Sequence, residues 1–266
     1  MCLWRTVAKM RAMPEAIPLA LTYWFYLLVA WGLAGLFVAF RILAGKSLPA
    51  GLSMRAGLLL WLGLPALLAL RGWFVQWGAM PPHLLRVVVP MALFVIGFAL
   101  SPAGKRAAER LPFTLLTGIQ AFRMPLEMLL FALAGRAALP EEMTLAGYNY
   151  DIVTGALALV LWSFLYKKGV ASWALWAFNI LGLVLLATVI SIAVLSFPEP
   201  FGWFSPPNVL VALYPWVWLP TFLVQLALVS HLLSIRKLLL ERVALLSDID
   251  TSEEGARGSS GVSPKY

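Results

Sequence analysis

The sequence holds one cysteine, Cys2, and two histidines, His83 and His231. A single cysteine excludes an internal disulfide and any cysteine-based zinc or iron–sulfur site within the chain, and two histidines exclude a three-histidine metal centre. No metal or other cofactor is therefore expected. The chain also lacks a phosphate-binding loop, a nucleophile elbow and an HExxH zinc motif, and neither Ser163 nor Ser205 has a histidine partner at matching depth. Charge is scarce: Asp, Glu, Lys and Arg make up 12% of the 266 residues, where a soluble domain carries about 25%. The net charge of +8 does not read as a nucleic-acid surface, because no basic stripe is interleaved with exposed aromatics.

What the chain has instead is apolar length. Hydrophobic residues are 62% of the total, and they fall in runs long enough for membrane spans of about 20 residues. The first run, from Pro18 to Leu43, is too long for a signal-peptide core and carries no small-residue cleavage pattern. The expected fold is an all-α integral membrane protein, a bundle of about seven transmembrane helices over residues 18–41, 56–77, 84–102, 111–134, 149–166, 171–196 and 209–234. Residues 1–17 form an N-terminal segment, 18–242 the transmembrane domain, and 243–266 a polar tail expected to be disordered and cytoplasmic.

Basic residues occupy alternate connections. Arg41, Lys46, Arg55, Lys105, Arg106, Arg110, Lys167, Lys168, Arg236, Lys237 and Arg242 lie on one side, and the stretches 79–83, 139–150 and 197–208 on the other are nearly free of Lys and Arg. The positive-inside rule then places the C-terminus in the cytoplasm and the N-terminus outside, with GKRAAER (104–110) and YKKG (166–169) as basic turns. Arg5, Lys9 and Arg11 oppose that orientation; a start at Met13 would delete them, and a re-entrant first span would accommodate them. Tyr23, Trp24, Trp73, Trp77, Tyr148, Trp203 and Tyr214 cluster at span ends, where amphipathic rings prefer the headgroup depth.

Span 4 departs from the apolar pattern. At 100° per residue Gln120, Arg123 and Glu127 share an arc of about 60° on one helix face. Arg123 falls near midplane and Glu127 one turn nearer the outside, within i,i+4 reach of each other, with Pro125 between them freeing the carbonyl of Ala121. Two readings stand: a structural ion pair that locks span 4 into the bundle, or a polar site that binds or passes a solute. Neither lets the charges face lipid. Asn149 and Asp151 stand at the start of span 5, where Asp151 either caps the helix or joins Glu127 in an acidic site countered by Arg71 or Arg86. His231 is expected near the cytoplasmic end of span 7, bonded within the bundle and far from His83, which argues against bis-histidine haem. Pro215 and Pro220 imply a bent or broken helix before it.

Three stretches, QAFRMPLEMLL (120–130), MTLAGYNYDIVTG (143–155) and YPWVWLPTFLVQLALVSHLLSIRKL (214–238), resemble a family of bacterial polytopic inner-membrane proteins with a QxFRxxxE / MTxxGxNxDI pattern and no assigned activity. The resemblance implies a multi-pass location in the bacterial inner membrane. It points to Gln120, Arg123, Glu127, Asn149, Asp151 and His231 as matching positions and transfers no catalytic role. Three function classes follow. The leading expectation is a non-enzymatic protein whose intramembrane polar site binds or translocates a small solute; the others are an accessory subunit of a membrane-protein complex and a membrane-embedded enzyme. The lipid bilayer is the expected surrounding, with no nucleic-acid partner.

Overall fold

The computed structural model describes the backbone over residues 17–167 and 170–259, and side chains as far as residue 247. Residues 1–16, on which most of the N-terminal segment and the question of a start at Met13 fall, lie outside the described residues, as do Lys168 and residues 260–266. The described residues form helices and no strand: α1 (Leu19–Ala44), α2 (Leu48–Leu70), α3 (His83–Leu100), α4 (Pro102–Arg110), α5 (Phe113–Ile119), α6 (Arg123–Ala134), α7 (Ile152–Lys167), α8 (Ser172–Leu195) and α9 (Val224–Ser259). Six segments are long and apolar enough to cross a membrane: α1, α2, α3, α8, the joined α5–α6 stretch Phe113–Ala134, and Leu219–Ser247. The remaining apolar helix, α7, has 16 residues, fewer than the roughly 20 of an untilted span.

Local chemistry moved several boundaries. The expected basic turn at 104–110 is helix α4, because Ser101 caps it by accepting from the Gly104 N–H at 3.1 Å and Pro102 fits its first turn. Helix α2 begins at Leu48 rather than 56 for the same reason, with the Ser47 hydroxyl accepting from Ala50 and Pro49 next in line, and it gives way before Gly72, whose φ is 66°. The last span does not run straight from 209. Pro215 and Pro220 leave a 3₁₀ turn at Leu210–Ala212 and a π-helical turn at Leu219–Leu223 before α9 begins. Helix α9 then continues to Ser259, past the point near 243 where the composition turns polar.

Burial separates the helices by role. In the Phe113–Ala134 stretch 67% of the most apolar window is buried and in Leu219–Ser247 50%, against 17–28% for the other four, so these two form the centre of the bundle. The outer helices keep apolar faces such as Leu59, Leu60, Leu93 and Phe94 exposed, as a lipid-facing surface would. A reciprocal pair of indoles ties α2 to the irregular stretch ahead of α9. Trp61 Nε1 donates to the Thr221 carbonyl at 2.8 Å, and Trp218 Nε1 donates to the Leu62 carbonyl at 3.0 Å. The π turn departs from the α-helical hydrogen-bond pattern, and the Trp61 indole gives one of its carbonyls a side-chain donor. Trp61→Phe keeps the ring and removes that donor; it should cost about 1 kcal/mol, read as a lower thermal midpoint of the detergent-solubilised protein.

Candidate functional site

The site begins with a break in the central helix. Pro125 cannot donate to the carbonyl of Ala121, and over Gln120–Phe122 the backbone tightens into a 3₁₀ turn between α5 and α6. Gln120, in that turn, donates through Nε2 to the Ala227 carbonyl of α9 at 2.9 Å. Arg123 opens α6 with its side chain 1% exposed, one of the largest fully buried side chains described.

The guanidinium is held by three elements. Its Nε donates to Asp151 Oδ2 at 2.6 Å and its Nη2 to Oδ1, a two-pronged pair with the residue that precedes α7. Nη2 also donates to the Gly182 carbonyl of α8 at 3.3 Å, and Nη1 to His231 Nε2 of α9 at 2.8 Å. An arginine can only donate, so His231 accepts at Nε2 and carries its proton on Nδ1. Nδ1 donates to Asn179 Oδ1 at 2.9 Å, and the Asn179 amide donates in turn to the Leu175 carbonyl (2.7 Å) and Ser234 Oγ (2.9 Å). A chain of polar groups thus runs Asp151–Arg123–His231–Asn179–Ser234 through the middle of the bundle.

Two sequence expectations change here. The ion pair of Arg123 is with Asp151 and not with Glu127: the fork reaches both oxygens of Asp151, whereas Arg-before-Glu is the weaker i,i+4 order. Arg71 and Arg86 do not counter the acids; Arg71 ends α2, and Arg86 donates to the carbonyls of Pro81 and Met80. The backbone carbonyl of Asp151 accepts from Thr154 and Gly155 at the start of α7, while its carboxylate accepts from Arg123. His231 lies midway along Leu219–Ser247, level with Arg123, because the prolines delay the start of that span.

Glu127 has a separate partner. Asn149 Nδ2 donates to both of its oxygens at 2.8 and 2.9 Å and to the Met143 carbonyl at 2.9 Å, while Asn149 Oδ1 accepts from the backbone N–H of Asp151 at 3.1 Å. Asn149 therefore positions both acids. Glu127 is 2% exposed and makes no ion pair of its own among the described residues.

Arg123, Glu127 and Asp151 lie at the edge of a cavity of about 400 Å³ between α3, α6, α8 and α9. Its walls are otherwise almost wholly apolar, among them Leu85, Val88, Val189 and Leu223, with Met143, Phe197 and Val211 contributed by the connections. Gln225 also lines it, and the Gln225 Oε1 is buried without a hydrogen-bond partner. No group of three His, Cys, Asp or Glu side chains able to hold a metal occurs among the described residues.

All six residues singled out from the sequence are buried, and five of them form the two linked networks. Asn179, Ser234, Gly182 and Gly155 were missed. A lone Asn in the apolar run of α8 was the available signal, since a polar side chain within a span serves as interhelical glue. The glycines act by closeness. A Cβ on Gly182 would overlap the His231 ring, and one on Gly155 would overlap the backbone of Met124.

A family model described as "Domain of unknown function (DUF8737)" matches residues 79–239, a region that includes every residue of both networks. No curated protein and no solved structure matches the chain.

Proposed function

The chain belongs to the DUF8737 family; from the geometry of the site we propose that it is a seven-helix protein of the bacterial inner membrane that binds or translocates a small solute in this cavity. The observation that carries the reading is the placement of buried, ordered charge against empty apolar volume: Arg123, Glu127 and Asp151 border about 400 Å³, within the range of about 300–1,000 Å³ typical of small-molecule sites. Ionisable groups kept inside a membrane bundle mark ligand or ion sites more often than they mark stability alone.

In this reading α7 is the seventh crossing, short because Asp151 draws its start inward to meet Arg123. The N-terminus lies outside and the C-terminus in the cytoplasm. Support comes from the basic residues that gather at one end of the bundle. Arg236 donates to the carbonyls of Ala99 and Ser101, Lys237 to those of Ala108 and Glu109, and Arg110 to that of Leu43. The cavity then occupies the outer half, since it takes the beginnings of α3 and α9 and the end of α8.

One observation favours the accessory-subunit reading: Arg123 is so fully engaged by protein acceptors that it serves as a structural pin. Native mass spectrometry of the gently solubilised protein separates the two. A binding protein should carry a small-molecule adduct that Ala92→Phe, which fills the cavity wall, removes. Adduct-free protein that arrives bound to another membrane protein would overturn the solute reading.

A further inference from the structure

The polar edge of the cavity specifies the charge of its ligand. Three of the four ionisable groups near it cancel or are neutral: Arg123 is paired with Asp151, and His231 accepts from Arg123, so it cannot carry a proton on that nitrogen. Glu127 is left. Its hydrogen bonding comes from a single amide nitrogen, which Asn149 shares with the Met143 carbonyl. A carboxylate offers about four acceptor sites, so most of its capacity faces no donor. Gln225, on α9, lines the same cavity, and its Oε1 is buried without a partner while its Nε2 is used on the Pro220 carbonyl at 3.2 Å.

Acceptors without donors call for a donor. An anion would be excluded, because four of the five N–H groups of Arg123 are already given to Asp151, His231 and Gly182. A neutral, wholly apolar guest would leave the Glu127 carboxyl buried with its single amide contact, an expensive arrangement in low dielectric. The walls favour a hydrocarbon body: Leu85, Val88, Val189 and Leu223 offer no hydrogen bond.

Building on the reading of this cavity as a binding site, we propose that its ligand class is the hydrophobic amine: an apolar body with one protonated amine, the ammonium held by the Glu127 carboxylate. Asn149 is then a positioning residue that fixes the carboxylate rotamer. Gln225 offers the head group a second acceptor along the wall. In the complex the single positive charge of the guest balances the single negative charge of the Glu127 carboxylate.

The test uses the full-length protein in lipid nanodiscs, titrated by native mass spectrometry with three probes of one chain length: dodecylamine, dodecanol and dodecanoate. The wild type should take up one dodecylamine saturably, at least tenfold more tightly than either other probe. Glu127→Gln keeps the shape and the Asn149 contact; it should weaken dodecylamine at least tenfold and leave dodecanol unchanged. Ala193→Phe, which adds a ring at the α8 side of the cavity, should weaken every probe that enters. Dodecanol or dodecanoate binding as tightly as the amine, or an amine affinity untouched by Glu127→Gln, overturns the amine assignment. If one of those rival probes saturates and Ala193→Phe blocks it, the cavity remains a binding site and only the ligand class falls. If no probe saturates in the wild type, both readings fall.

Discussion

Arg123→Met should cost the fold about 3–5 kcal/mol, the largest loss expected of any single substitution in this chain. The methionine fills much of the same volume, so the loss comes from what is left behind. Asp151, 3% exposed, would keep its charge with no cation, and the His231 Nε2 and the Gly182 carbonyl would lose a donor. Asp151→Asn is expected to be nearly as harmful, since it strands the guanidinium instead. Combining Arg123→Met with Asp151→Leu should recover roughly half of the loss, because replacing both members of a buried pair by apolar side chains removes the uncompensated charge while the two orphaned acceptors remain. Glu127→Gln should cost less than about 1 kcal/mol, as the Asn149 amide still finds an acceptor there. Thermal midpoints of the four solubilised variants decide the matter. A severe Glu127→Gln beside a mild Asp151→Asn would mean that Arg123 pairs within its own helix after all.

That ordering also shows where the sequence stopped being legible. Periodicity alone put Gln120, Arg123 and Glu127 on one face of span 4 and required that face to be buried, and all three are at most 2% exposed. The partner of Arg123 could not be read the same way. Spacing along one helix ranks Glu127 first, while the contact that forms joins residues 28 apart in sequence and depends on how α7 approaches α6. That approach is set by Gly155, where the two backbones touch, and glycine carries no hydropathy signal to announce it.

His231 was misplaced in depth for a related reason. The prolines announce a break but not how much chain it takes: counting the span from 209 assigns to it the whole irregular stretch, which runs through the π turn at Leu219–Leu223 before α9 starts at Val224. With the candidate span running Leu219–Ser247, His231 lies midway along it, in contact with Arg123. The cavity was invisible by construction. Its wall residues are ordinary Leu and Val on separate segments, and nothing in their order along the chain records that they border one cavity.

The second large effect belongs to a residue with no side chain. Gly182→Ala adds one methyl group, and that methyl would overlap Cε1 and Nε2 of His231. A free imidazole could rotate aside, but this one is clamped from both ring nitrogens, by Arg123 Nη1 at 2.8 Å and by Asn179 Oδ1 at 2.9 Å. Helix α8 must therefore move outward or the polar chain must break, at a cost on the order of 2–3 kcal/mol. The carbonyl of residue 182 is unchanged by the substitution, so the loss is steric and not a missing acceptor for Arg123. A double-mutant cycle isolates that cause. His231→Ala is destabilising by itself, because it orphans the Arg123 and Asn179 groups, yet it removes the ring that the new methyl would strike. In that background Gly182→Ala should cost less than about 0.5 kcal/mol, a coupling of roughly 2 kcal/mol between the two positions. Simple additivity would show that the imidazole does not occupy the space over Gly182, and the Asp151–Arg123–His231–Asn179 chain would have to be redrawn.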